Sequence, residues 1–75
     1  MKSNRIVDTA LLLDGVSKAE LARRLEYKSA SAVSNALERD MRVDTFVRMM
    51  NALGYEVLAK QGDKVFTVTA EKSGD

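Results

Sequence analysis

The 75-residue chain has no cysteine and no histidine. Disulfide frameworks, Cys/His zinc sites and histidine-based catalytic triads are therefore excluded. Long apolar runs are missing too: the longest, residues 10–13, is far too short to span a bilayer, so no membrane partner is expected. Nor is there a glycine-rich phosphate loop, or a pair of carboxylates in an apolar setting that would tune them for acid–base work. A chain this short has little room for a deep pocket, and the expectation is a protein that is not an enzyme and takes no metal or cofactor. Without a signal-peptide pattern, the cytoplasm is the expected location.

Charge of one sign is also scarce. The net charge is +1, so bulk charge does not announce nucleic acid, and distribution has to carry that question. Lys18, Arg23, Arg24, Lys28, Arg39, Arg42 and Arg48 cluster in the middle of the chain, while the carboxylates are spread along it. A local basic face on a near-neutral protein is enough to neutralise phosphates.

What is present is a succession of short amphipathic segments that fit a single domain over residues 1–75. Residues 3–14 read as a first helix, with Ile6, Val7, Ala10, Leu11 and either Leu12 or Leu13 at helical spacing. Ser3 is placed to cap it, and Gly15 to end it. Ser17-Lys18-Ala19-Glu20 matches a capping box, in which the Ser17 hydroxyl accepts from the Glu20 amide and the Glu20 carboxylate returns to the Ser17 amide. A second helix over about 17–26 follows, with Leu21, Ala22 and Leu25 as its apolar stripe; Arg23 and Arg24 lie about 100° apart, and one of them is expected to pair with Glu20 or Glu26.

After a turn at residues 26–29, a third helix over about 30–39 is capped by Ser29 or Ser31. Val33, Ala36 and Leu37 share one face, with small polar residues elsewhere. A polar link, residues 39–42, leads to a fourth helix over about 43–53. Its stripe is Val43, Phe46, Val47, Met50 and Leu53, with Met49 and Ala52 beside it and Phe46 the candidate for the core centre. Gly54 is its stop.

The period then changes to alternation. Residues 55–60 and 64–69 flank Gln61-Gly62-Asp63 as a hairpin over about 55–69, and residues 70–75 read as a frayed polar tail. The fold class is thus mainly α: four short helices, the middle pair a helix-turn-helix, then a C-terminal two-stranded β-hairpin.

The middle stretch carries the functional signal. The segments Ala19-Glu20-Leu21-Ala22-Arg23-Arg24-Leu25 and Tyr27-Lys28-Ser29-Ala30-Ser31-Ala32-Val33-Ser34-Asn35-Ala36-Leu37, followed by a helix from Val43 to Leu53 and Gly54-Tyr55-Glu56-Val57, resemble the Cro and phage-repressor family of helix-turn-helix regulators. The resemblance spans roughly residues 4–58. It rests on order and spacing rather than on any one motif. Two departures stand out: Glu26 replaces the usual turn glycine, so the turn is expected not to rely on a left-handed residue, and the Leu25–Val33 spacing is one residue longer than the commonest form.

The resemblance implies a sequence-specific DNA-binding regulator, in the first instance a repressor on a palindromic operator. Carried over residue by residue, Ser29, Ser31, Ser34 and Asn35 are the base-contact candidates, since Asn pairs bidentately with adenine and Ser both donates and accepts. Ser17, Lys18, Lys28, Arg39 and Arg42 are the phosphate-contact candidates. Apolar residues on both hairpin faces, Tyr55, Val57, Leu58, Val65, Phe66 and Val68, suggest a homodimer interface. Two alternatives stay open: a DNA-binding antitoxin whose hairpin or tail covers a toxin protein, and a protein-interaction adaptor without DNA binding.

Overall fold

The first helix starts without a side-chain cap. In the computed structural model, which describes residues 2–70, α1 spans Ser3–Asp14 and its N-cap is Lys2, which makes no side-chain capping bond. Ser3 is thus the first helical residue and not the cap the sequence suggested. The other helices are α2, Lys18–Arg24, α3, Ala30–Leu37, and α4, Val43–Ala52. Both middle helices are two residues shorter at the C-terminal end than expected, which leaves Glu26 and Arg39 in turns.

Three helices close by the same backbone device. The Gly15 and Val16 N–H groups donate back to the Leu12 and Leu11 carbonyls, those of Glu26 and Tyr27 to Arg23 and Ala22, and those of Gly54 and Tyr55 to Asn51 and Met50. Each is a Schellman closure, with an apolar residue just after the left-handed one. Glycine fills the left-handed position in two of them, at φ of 66° and 94°; in the third it is Glu26, at φ of 61°. The expectation that this turn avoids the left-handed region is corrected: the closure needs a positive φ there whatever the residue.

The core lies where the four helices meet. Val7 from α1, Leu21 from α2, Val33 from α3, and Val47 and Met49 from α4 are fully enclosed, with Ala22 also buried in the core. Burying side chains of this size contributes about 1.5–3 kcal/mol each. Phe46 is only half-buried, packed against this cluster rather than at its centre. Met49 is fully enclosed instead, and Val43, expected in the stripe, is 66% exposed. Met41, read as part of a polar link, packs on the core edge.

The chain then forms β1, Val57–Gln61, and β2, Lys64–Val68, paired antiparallel in the register Val57 to Val68 through Gln61 to Lys64. The loop is two residues, Gly62 and Asp63. With φ of 57° at Gly62 and no positive φ at Asp63, it fits the tight turn that follows right-handed strand twist. Only the Val57/Val68 root is half-buried; the remainder of the arm, up to the tip, is exposed. The expected polar tail falls on residues 71–75, outside the described residues, except for Ala70. No helix among the described residues is long and apolar enough to cross a membrane.

Candidate nucleic-acid interface

α3 has two unlike sides. Val33 and Leu37 turn inward and are buried, with Ala36 half-buried next to them. At about 100° per residue, the opposite side carries Ser31 and Asn35, one turn apart, flanked by Ser34 and Ala32. Ser31 and Asn35 are exposed and Ser34 is half-buried. Ser29 is the N-cap, but its side chain makes no capping bond, against expectation; the Ser29 carbonyl instead accepts from the Ala32 N–H. Its hydroxyl is therefore left exposed at the entrance to the helix.

Cations flank α3 in the chain. Lys28 precedes α3, while Arg39 and Arg42 follow it, and all three are exposed. Among the described residues neither they nor Lys18 form an ion pair; the two pairs present both belong to Glu20. Acids are present as well, Glu38 and Asp40, so the rim is mixed rather than uniformly basic.

The start of α2 forms one half of the expected capping box. The Ser17 hydroxyl accepts the Glu20 amide at 3.0 Å, as the capping box requires, and keeps its own O–H as a donor. The return half of the box is not made. The Glu20 carboxylate faces along its own helix instead and binds both Arg23 and Arg24. These hydrogen bonds, Arg23 first and Arg24 second, hold the Glu20 carboxyl down at about 2 from the usual 4.5. Two arginines share one carboxylate, where one was expected to pair. Arg24 also donates to the Ala52 carbonyl at the end of α4, at 3.2 Å.

Sequence reasoning missed a set of ties onto helix ends. The Asn4 carboxamide donates to the Leu37 carbonyl at 2.9 Å, joining α1 to the end of α3. The Tyr55 hydroxyl donates to Asp14 at the end of α1, at 3.2 Å. Desolvation chiefly, then the Asp14 charge and this hydrogen bond, raise the Tyr55 pKa above 10. Partners separated by 28 to 41 residues leave no local trace in the sequence.

The residues expected to pair two copies divide into two groups. Val57 packs on the core, Val68 lies opposite it, and Tyr55 is engaged with Asp14, so these serve the chain's own fold. Leu58, Val65 and Phe66 remain 50%, 51% and 68% exposed. The register puts Leu58 and Val65 on one face of the arm and Phe66, opposite Ala59, on the other. Near the root of the arm an apolar groove of about 260 Å³ runs between α1 and α4, lined by Ile6, Thr9, Ala10, Leu13, Met50 and Tyr55. Leu12 and Leu13, read as alternatives for the core, are both exposed.

No family model, curated protein or solved structure matches the chain.

Proposed function

We propose that the protein is a sequence-specific, double-stranded DNA-binding regulator that works as a homodimer, with α3 in the major groove. The observation that carries this reading is the outer side of α3. Ser31 and Asn35 are exposed one turn apart on a helix anchored from behind, and Lys28, Arg39 and Arg42, which form no ion pair among the described residues, flank it in the chain. Short polar side chains on a helix face match base edges, and flanking cations match the phosphates on either side of the groove. The resemblance to Cro and phage-repressor regulators points the same way.

Base contacts are assigned to Ser29, Ser31, Ser34 and Asn35, and phosphate contacts to Lys28, Arg39 and Arg42, with Lys18 further out. Ser17 stays in the phosphate set: its oxygen accepts the Glu20 N–H, and its own O–H remains a donor at the amide end of α2. Dimerisation is assigned to the exposed arm through Leu58, Val65 and Phe66, since a two-stranded hairpin is marginal in water without a covering partner. Such a dimer on an operator overlapping a promoter would exclude polymerase and repress.

Fluorescence anisotropy with a labelled random-sequence duplex tests the reading at low salt. Binding that weakens steeply as salt is added is expected; no binding at low salt overturns it. Apolar exposure on the arm and at Leu12 and Leu13 favours a second reading, in which this surface covers a protein partner such as a toxin, with or without DNA binding. Co-purification of a small neighbouring-gene product with the protein distinguishes it.

A further inference from the structure

We infer that Asn4 is a positioning residue for DNA reading: its carboxamide fixes the end of α3, and through it the placement of Asn35 and Ser31 against base edges. The inference rests on the DNA-binding reading above.

The last carbonyls of any helix lack intrahelical donors. In α3 the Glu38 N–H serves the Ser34 and Asn35 carbonyls, and the Arg39 N–H reaches the Ala36 carbonyl at 3.4 Å. The Leu37 carbonyl takes its donor from another element, Asn4 Nδ2 at 2.9 Å, in a half-buried bond. The other end of the same carboxamide is also engaged, Asn4 Oδ1 accepting the Arg5 N–H at 3.0 Å. One group therefore donates to α3 and accepts from the first turn of α1, and both contacts together set which way the carboxamide faces. Asp offers no donor when ionised, and Ala offers neither function.

This tie matters because α3 is eight residues long and has no side-chain cap at its start. Val33 and Leu37 hold it laterally through apolar contact, which is non-directional. The Asn4 bond is directional and acts two residues from Asn35. Short side chains such as Ser and Asn lose a base-edge hydrogen bond when displaced by a fraction of an ångström to an ångström. Long Lys and Arg side chains re-aim and keep their phosphates. Loosening the end of α3 should thus erode specific binding while leaving random-sequence binding in place.

The test uses the full chain as wild type, Asn4→Ala and Asn4→Asp. Each is assayed at a temperature where equilibrium unfolding shows it to be fully folded. Two probes are used: a random-sequence duplex, and the tightest duplex recovered by the wild type from a random pool. Affinity for the random duplex should stay within about twofold, since the phosphate contacts are untouched. The ratio of selected to random affinity should fall by roughly fivefold or more for Asn4→Ala, the scale of one lost hydrogen bond. Asn4→Asp should fall further, its carboxylate facing the Leu37 carbonyl at the negative end of α3.

A spectroscopic reading keeps the inference testable should both variants unfold: the wild type should show NMR coupling across the hydrogen bond from Asn4 Nδ2 to the Leu37 carbonyl carbon. Absence of that coupling overturns the inference, as does an unchanged affinity ratio in the folded variants. A wild type that binds neither duplex instead removes the interface itself, and the positioning role with it.

Discussion

On the proposed DNA-binding reading, specificity would depend most on Asn35, because it is the one exposed carboxamide on the outer side of α3. Asn35→Ala should relax preference at one base position per half-site, at a cost of about 1–3 kcal/mol, read from the binding-site profile. Lys28→Ala should instead weaken binding to all sequences alike and lower the salt slope by about 1. Glu26 is the residue whose change should help: it sits at φ of 61°, where a Cβ is strained. Glu26→Gly should raise stability by about 0.5–1 kcal/mol in urea unfolding, the relief of strain outweighing the extra freedom glycine has when unfolded. Glu20 ties acid behaviour to the same helix. Its carboxyl is lowered from 4.5 to about 2, so its contribution to stability is present above pH 4.5 and is lost as pH falls toward 2. NMR titration of Glu20 should place its midpoint near 2, and Glu20→Gln should flatten the stability profile across that window.

At the scale of elements, what was legible in the sequence was whatever repeats locally. Helical spacing of Val7, Ala10 and Leu11, or of Val33 and Leu37, gave α1 and α3 their buried sides, and the change to alternation after Gly54 gave the hairpin. The inward and outward sides of α3, and hence the candidate reading face, followed from the same periodicity. What escaped was set by contacts between elements. Phe46 looked central because it is large, yet Met49, placed beside the stripe, is the side chain fully enclosed where the helices meet. Glu20 looked like a capping-box partner, but two arginines on its own helix compete successfully for its carboxylate. Glu26 adopts the left-handed conformation that glycine fills in the other two closures, since the closing hydrogen bonds of α2 outweigh one strained residue. The arm is the element with most surface left over. Phe66→Ser combined with Leu58→Ser should shift the sedimenting species from dimer to monomer without unfolding the helices, because neither residue belongs to the core. A wild type that sediments as a monomer at high micromolar concentration removes the dimer proposal.

At the scale of the whole molecule, a body held by a small four-helix core presents two surfaces: α3 with its cations, and the exposed arm. Joining two copies by a two-fold axis through their arms would repeat the reading face, and a pair of major-groove helices on one side of B-DNA must lie about 34 Å apart. A near-neutral chain gains little from long-range attraction, so on the proposed reading DNA affinity would depend on the local cations and should fall steeply with salt. The most direct measurement is selection of bound duplexes from a random-sequence pool at low salt, followed by sequencing. The expected result is an enriched inverted repeat with half-site centres about 10–10.5 base pairs apart. Recovery of a pool with no sequence enrichment would contradict the assignment of α3 as a reader of bases.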